Sequence, residues 1–389
     1  MAVWKKAIFS SEDFYIYALG VYLVRSLILQ GVNWTAGILE IVGRMNIAAN
    51  LLIACLLLAK GAIDLIKGRG KYFIIMTVVL TGLYLSYRNT QNDVLLYSAV
   101  FIVMAGNLSF DRIVKLHFKI VAGSVLCAVV FCAFGMAQDI VIDFRYGTGH
   151  SFGTYHPNMF AAMVSSASLA WGYLQYKIHP YKISGVLLTV SVFLYLLTMS
   201  RTNSVIVAFF AFMILIYKMM ERTHTEKLLN LLKITVLAAM GGAIYLMLFY
   251  QQIQEGLLSD ANFLVRFSQG YGIYQRYGIS LFGNQIKLVT VAEAIASGKS
   301  AAILDSAYLS LLLNHGLAAT VLFLFCQMKI FKRAIQKRNY MIILIATLYA
   351  VSGFMEQNIF IVYYNFTLLT TFGKLVPQYE KIAMKGESI

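Results

Sequence analysis

Charged residues and proline are scarce in this sequence. Only 13% of its 389 residues are charged and three are proline, whereas 60% are hydrophobic. Soluble proteins of this length rarely exceed about half apolar residues, so the composition argues against a soluble globular fold. The alternation typical of a membrane β-barrel is also absent. Apolar runs of about 17 to 25 residues recur along the chain and could cross a bilayer as helices, which predicts an all-α integral membrane protein.

Cysteine and histidine are also few, and their spacing matters more than their number. The four cysteines all fall inside apolar runs without CxxC spacing, which is typical of small buried residues. No pair among the six histidines has metal-ligand spacing. The predicted outer loops contain no DxD pair, and the chain has no Walker-type glycine loop. We therefore expect no metal and no nucleotide cofactor, and a reaction here would use a donor that is already activated.

Lysine and arginine are distributed unevenly between the two sides of the predicted membrane domain, which covers residues 1–389. If the N-terminus is cytoplasmic, cytoplasmic segments hold 21 of the 32 lysines and arginines and outer segments hold eight. This bias predicts about twelve spans with both termini in the cytoplasm. The net charge of +15 therefore indicates orientation in a membrane rather than nucleic-acid binding. The spans are predicted near 14–32, 46–66, 72–88, 93–110, 114–136, 157–176, 183–200, 202–220, 228–250, 305–326, 339–354 and 357–373.

Two sizeable segments lie on the predicted outer side. The first, residues 137–156, contains the polar stretch RYGTGHSFGTYH. The second, residues 251–304 between spans nine and ten, is the longest piece outside the spans. Its stretch LLSDANFLVRFSQGYGIYQRYG combines aromatic residues and arginines at roughly helical spacing, with Ser259 or Asp260 as an N-cap. We expect a short helix there, lying over the membrane face.

Several arginines on the outer side are exceptions to the charge bias. Arg145 lies in the first outer segment, and Arg201 lies in TMSRTNS, where two predicted spans meet. Arg266 and Arg276 lie ten residues apart in the large outer segment. Guanidinium groups bind phosphate oxygens in a bidentate manner and stay charged, so converging arginines would form a site for a bulky anion. The alternative for each arginine is contact with lipid head groups.

Groups that could accept a proton lie in the same outer segments. Asp305 begins the tenth predicted span, where it could cap the helix or act as a general base. His150 and His156 lie in the first outer segment. Pro157 suits the first turn of the sixth span, and Asn158 would then direct its amide toward the outer face. Glu356 lies between the last two predicted spans and could balance an arginine.

Four segments between about residues 140 and 330 resemble, in order, the Wzy-type polysaccharide polymerases and the related O-antigen ligases. FGTYHPNMFAAM resembles the polymerase pattern fG..HPN.fa, and LLTMSRTNSVIVAFF is similar to the SRt-containing span. The loop with Arg266 and the later YGISLFGN resembles the loop that ends in an lfG turn. DSAYLSLLLNHGLAATVLFL resembles the helix of pattern DN.yl.ll...G..g..lf.

This resemblance implies a GT-C-like membrane glycosyltransferase that polymerises undecaprenyl-diphosphate-linked repeat units on the outer face of the bacterial cytoplasmic membrane. The product would be O-antigen, capsule or exopolysaccharide. Arg201 and Arg266 would grip the diphosphate, and Asp305 would be catalytic at a position where the ligases carry a histidine. Substrate contacts are expected from Arg145, His150, His156, Asn158, Arg276, Tyr308 and Glu356.

The partners that the resemblance implies are the lipid-linked glycan donor and acceptor and membrane lipid, without nucleic acid. A chain-length regulator and a flippase are further partners of such a polymerase. The family's ligases carry a His-Asn pair where this chain has Asp305-Ser306. This departure favours a polymerase over a ligase.

Two other functions stay open at this point. An O-antigen ligase would transfer finished glycan to lipid A or another acceptor. A twelve-span transporter or lipid-linked sugar flippase is the second alternative, because IKGRGK is similar to the basic loop of major-facilitator carriers. Those carriers usually place their long loop inside, between spans six and seven, whereas the longest loop here is predicted outside.

Overall fold

The computed structural model of the protein describes residues 10–68, 70–106, 108–144, 146–220, 226–254, 264–289 and 303–375. The chain is mostly helical, as the sequence predicts. Its α-helices in the described part are α1 (Ser11–Val24), α2 (Ala36–Ile66), α3 (Gly70–Thr90), α4 (Val94–Met104), α5 (Phe110–Ala133), α6 (Pro157–Gln175), α7 (Pro180–Thr198), α8 (Arg201–Met220), α9 (Glu226–Leu248), α10 (Tyr250–Gln254), α11 (Leu264–Tyr277), α12 (Ala307–Leu309), α13 (Leu317–Gln336) and α14 (Tyr340–Ser352).

Three helices in the described part, α2, α5 and α7, are long and apolar enough to cross a membrane. A bilayer core requires about 20 apolar helical residues. Shorter apolar stretches occur at Val94–Met104, Arg201–Tyr217, Leu232–Leu248 and Tyr340–Ser352. The helical content and these three helices are compatible with an all-α membrane protein, and the twelve-span topology stays a prediction.

Two predicted spans contain π-helical turns instead of continuing as regular α-helix. In the first, α1 passes into a π-helical turn at Arg25–Leu29. In the tenth, α12 continues as a π-helical segment, Ser310–His315, and the helix is then broken at Gly316, whose φ is 94°. Residues with a side chain rarely adopt this backbone conformation, so glycine at position 316 allows the helix to break before α13 begins.

The last predicted span, near residues 357–373, is not one continuous helix. It contains two short 3₁₀-helices, Gln357–Phe360 and Phe366–Thr371. Between them, the Asn365 amide donates to the Ile359 carbonyl at 2.7 Å, and its oxygen accepts from the Thr367 backbone at 3.2 Å. Asparagine side chains compete in this way with backbone hydrogen bonds of a helix. The apolar run at residues 357–373 predicts that this segment is buried. The hydrogen bonds of Asn365 determine that it is not one continuous helix.

The first predicted outer segment contains an antiparallel hairpin that the sequence did not predict. Strand β1 (Val141–Phe144) pairs with β2 (Gly147–His150), with Val141 opposite His150 and Phe144 opposite Gly147. The same segment is joined to the connection between α1 and α2. Asn33 donates to the Gly153 carbonyl at 2.8 Å, and the Asn33 carbonyl accepts from Gln138 at 2.9 Å.

The described residues form two compact units. The first lies within Met1–Ile75, Phe101–Arg222 and Phe372–Val376. In it, α1 packs on α2, α5 on α6, and α7 on α8. Tyr22 stacks on Phe101, and Trp34 packs on Phe131. These contacts bury large aromatic rings, which stabilises the packing of the helices.

The second unit lies within Met76–Val100, Thr223–Thr371 and Pro377–Ile389. Here α14 packs on α9 and α13, and α9 also packs on α11. The turn around Gly283 lies directly against the helix break at Gly316. A Cβ on Gly316 would lie 2.3 Å from the Gly283 nitrogen, so this backbone contact requires glycine.

Candidate functional site

The candidate residues of the first unit gather around the hairpin and the start of α8. Strand β2 packs against the C-terminal end of α7. A Cβ on Gly149 would lie 2.5 Å from the Thr198 carbonyl oxygen and 2.8 Å from Cε2 of Phe144. Only glycine allows the strand to approach the helix this closely. The approach brings the end of the hairpin beside Arg201, the first residue of α8.

Arg201 stacks on an aromatic ring of the hairpin. Its guanidinium carbon lies 4.6 Å from the centroid of the Tyr146 ring. A guanidinium over an aromatic face is attracted by the ring quadrupole. Both side chains are exposed, and Tyr146 has 59% of its surface accessible. Arg201 is therefore held in position while its charge stays accessible to a ligand.

The predicted substrate-binding residue His150 belongs to a second polar group at the base of the hairpin. Its Nδ1 lies 2.7 Å from Oδ2 of Asp139. The other oxygen of Asp139 accepts from the backbone of Ser151 at 2.9 Å and of Phe152 at 2.8 Å. It also lies 3.2 Å from the Ser151 hydroxyl. Phe152 has a φ of 48°, which is uncommon for a residue with a side chain.

The hydrogen bonds around Asp139 also affect its protonation. Burial acts to raise the pKa of this carboxyl, but hydrogen bonds from His150, Phe152 and Ser151 favour the ionised form and lower the pKa below its usual value. Asp139 is therefore held as a carboxylate that accepts four hydrogen bonds. It fixes the turn that follows β2 and the orientation of the His150 ring.

His156 and Asn158 lie at the start of α6. His156 is the N-cap, and its Nδ1 accepts from the Asn158 backbone at 3.1 Å. Pro157 is the first residue of α6, which confirms the expectation that it begins this helix. The structure thus assigns His156 a capping contact, and the role of both residues in binding a glycan stays a prediction. Arg145 lies outside the described residues, as do Ser259 and Asp260.

The second unit contains the other predicted catalytic residues, Arg266 and Asp305, as an ion pair. Nε of Arg266 lies 3.4 Å from Oδ2 of Asp305, and the two side chains are 30% and 42% exposed. The guanidinium also donates to the Met355 carbonyl, one residue before Glu356. The N-cap of α12 is Ser306, so Asp305 does not occupy the capping position that the sequence left open.

Tyr308 does not lie where a glycan could contact it on this unit. Its ring is fully buried, and its hydroxyl donates to the Ala350 carbonyl at 2.6 Å. A tyrosine with its hydroxyl satisfied in this way packs the interior, so the prediction of a substrate contact does not fit its position. The sequence could not distinguish a buried Tyr308 from one that contacts substrate, because Tyr308 lies only three residues after Asp305.

Arg276 and Glu356 stay accessible in the second unit. Arg276 is exposed in the last turn of α11, where a cation is favoured by the helix dipole. Glu356 is half-buried and precedes the first 3₁₀-helix. The helix expected in the large outer segment is present as α11. Its position relative to a membrane stays a prediction.

Two residues of the candidate site, Asp139 and Tyr146, were missed in the sequence. Asp139 lies eleven residues before His150, and Tyr146 lies 55 residues before Arg201. Neither spacing is a motif, because the hairpin and its packing on α7 create both contacts. The polar segment HSFGTYHPN, which follows both residues in the sequence, was the available signal that a site lies in this region.

Within the described ranges, no group of three or more histidine, cysteine, aspartate or glutamate residues is arranged to hold a metal ion. No protein-family model, curated protein or solved structure matches the chain. The family resemblance therefore depends on the four sequence segments quoted above.

Proposed function

We propose that this protein is a polysaccharide polymerase of the bacterial cytoplasmic membrane. It transfers a growing glycan from undecaprenyl diphosphate to the hydroxyl of an acceptor repeat unit, on the outer face of the membrane. The proposal includes about twelve spans, cytoplasmic termini and a GT-C-like arrangement of the helices. The observation that carries it is the environment of Arg201.

An arginine at the first position of a helix is not explained by helix stability. The N-terminus of α8 bears the positive end of the helix dipole, which disfavours a cation there. Arg201 is nevertheless held there by its contact with Tyr146. The guanidinium and the helix terminus together favour an anion, and a diphosphate matches the bidentate geometry of arginine.

In the second unit, the family resemblance implies that Arg266 binds a diphosphate, and its ion pair with Asp305 is compatible with that role. A partly exposed pair of this kind contributes about 0–1 kcal/mol to stability, so exchanging its carboxylate for another anion costs little. A diphosphate carries more charge than Asp305 and could replace it on the guanidinium. Asp305 would then hold Arg266 in position in the absence of donor, and it remains a candidate base by resemblance.

The reaction needs charge stabilisation more than it needs a cofactor. As the acceptor oxygen attacks the anomeric carbon, negative charge develops on the departing lipid diphosphate. Fixed guanidinium groups stabilise this charge in the transition state. In this proposal the donor is already activated by its diphosphate.

The deciding experiment is to profile lipid-linked oligosaccharides in a strain that lacks this protein. The proposal predicts loss of long polymer and accumulation of single lipid-linked repeat units on the outer leaflet. Accumulation on the inner leaflet would indicate a flippase instead. Continued synthesis of long polymer that is no longer attached to its final acceptor would indicate a ligase. Unchanged, attached polymer would reject all three functions.

A further inference from the structure

The contact between Asp139 and His150 leaves one nitrogen of the ring available for chemistry. An ionised carboxylate can only accept hydrogen bonds, so Nδ1 of His150 must carry the hydrogen in their 2.7 Å contact. In the neutral form of such a ring, the lone pair is then on Nε2. No described residue forms a hydrogen bond with that nitrogen, and the side chain is 42% exposed.

The carboxylate that holds this ring is itself firmly positioned. Two backbone N–H groups and the buried Ser151 hydroxyl surround Oδ1 of Asp139. The positive φ of Phe152 belongs to the same turn, and backbone strain of this kind often occurs at functional sites. The Phe152 ring also packs beside the imidazole, with centroids 5.7 Å apart. His150 is thus oriented from two sides.

The hairpin connects this ring to the proposed diphosphate site. Arg201 lies over Tyr146 at one end of β2, and His150 is the residue at the other end. Three strand steps separate Gly147 from His150, which is about 10 Å. A sugar with its attached diphosphate can bridge a distance of this order. Among the described residues, Cys132 is close enough to sense the charge of Asp139, and Asp143 on β1 accepts from the Thr148 hydroxyl at 2.9 Å.

We infer that His150 is the general base that takes the proton from the acceptor hydroxyl, and that Asp139 is its positioning residue. The inference rests on the polymerase function proposed above. The acceptor oxygen forms a bond to the anomeric carbon, and the bond from that carbon to the diphosphate oxygen breaks. The electron pair of the broken bond stays on the lipid diphosphate beside Arg201. The hydroxyl proton moves to Nε2 of His150 and then to water.

The first test measures chain extension in membranes supplied with lipid-linked repeat units. His150→Gln should lower kcat by about 10²- to 10⁴-fold, the usual contribution of a general base, with KM for the donor nearly unchanged. His179→Gln is the matched control, because His179 is an exposed histidine before α7 without a side-chain capping bond. It should retain full activity. A folded His150→Gln protein with normal kcat would overturn the inference.

Two further measurements separate chemistry from folding. Added imidazole should partly restore His150→Ala, which requires a folded protein with an empty base position; failure to restore an accumulated variant would contradict the assignment. Asp139→Asn should lower kcat, and in combination with His150→Gln it should cause little additional loss, because both residues act on one proton transfer. Fully additive losses would show that Asp139 only stabilises the turn.

The inference and the proposed function can fail separately. If the deletion strain makes normal polymer, the polymerase proposal fails and His150 has no acceptor to activate. If the strain loses polymer and Arg201 variants are inactive while His150→Gln extends chains normally, only the assignment of the base fails.

Discussion

Arg201 and Arg266 differ in what holds them, although the same role is proposed for both. Arg201 is held by the face of an aromatic ring, which leaves the hydrogen-bonding edge of its guanidinium open. Arg266 uses that edge for Asp305 and for the Met355 carbonyl. We therefore expect Arg201 to be preorganised for an anion, whereas Arg266 must exchange one anion for another.

Replacing Arg201 tests the open guanidinium. Arg201→Lys keeps the charge but loses the planar fork and the stacked geometry, so we expect chain extension to fall about 10²-fold, and Arg201→Ala to fall at least as far. Arg44→Lys is the control, because Arg44 forms an i,i+4 pair with Glu40 in which both side chains are 80% exposed. Polymer length on gels and the initial rate of extension provide the measurement. Normal rates for Arg201→Lys would contradict bidentate recognition at this position.

Replacing Asp305 separates the two roles proposed for that carboxylate. If Asp305 only holds Arg266, Asp305→Asn should lower KM for the donor about two- to five-fold and leave kcat nearly unchanged, because a weak competing ion pair is removed. Arg266→Ala should instead raise KM and lower kcat. Steady-state kinetics with a defined lipid-linked donor distinguish these results. A loss of about 10² in kcat for Asp305→Asn would identify Asp305 as the base and argue against His150.

The hairpin is the element that brings separate candidate residues together in the first unit. Its two strands have only four residues each, and a short isolated hairpin is marginally stable in water. Packing of β2 against the end of α7 and the hydrogen bonds around Asp139 supply the missing stability. The position of Tyr146, and through it that of Arg201, therefore depends on this packing.

Gly149→Ala tests that dependence. The added Cβ would meet the Thr198 carbonyl and the Phe144 ring, so we expect a destabilisation of about 1–3 kcal/mol and a strong loss of chain extension as the hairpin moves away. Gly185→Ala in α7 is the control, because a Cβ there meets nothing within 4 Å. It should be neutral or stabilise the helix by about 0.5–1 kcal/mol. Thermal unfolding in detergent and extension rates report both effects. Wild-type behaviour of Gly149→Ala would show that the hairpin does not need this close approach.

For the whole molecule, contacts within the first unit join segments that the charge distribution assigns to the same side of the membrane. Asp13 and Arg112, both predicted to be cytoplasmic, form an ion pair at 2.5 Å, and Phe110 donates to the Lys374 carbonyl at 3.0 Å. On the predicted outer side, Asn33 contacts Gly153. This grouping is consistent with the predicted orientation of these helix ends.

Cysteine labelling in intact cells tests the orientation directly. In a protein without its four native cysteines, a membrane-impermeant thiol reagent should label Tyr146→Cys and Leu281→Cys, which are exposed and predicted to face outward. Lys177→Cys and Arg338→Cys, exposed on the predicted inner side, should be labelled only after permeabilisation. The opposite labelling pattern at positions 146 and 281 would contradict both the predicted topology and the proposed reaction on the outer face.

Most of the helical architecture could be predicted because hydropathy is a local property. The runs that form α2, α5 and α7 were all predicted as spans, and Pro157 was expected to begin a helix. The exceptions have local polar or backbone causes. Asn365 interrupts the last predicted span, and Gly316 breaks the tenth. An apolar run predicts that a segment is buried, but it does not specify the hydrogen bonds that the segment forms.

Composition and charge bias were sufficient to predict a helical membrane protein and to select arginines and histidines as candidates, because both are sums over neighbouring residues. Only the folded chain revealed that Asp139 orients His150, that Tyr146 supports Arg201, and that Arg266 pairs with Asp305. These contacts join residues separated by 11, 55 and 39 positions. They form where the chain reverses and packs on itself, and no local propensity specifies which distant side chain will lie opposite.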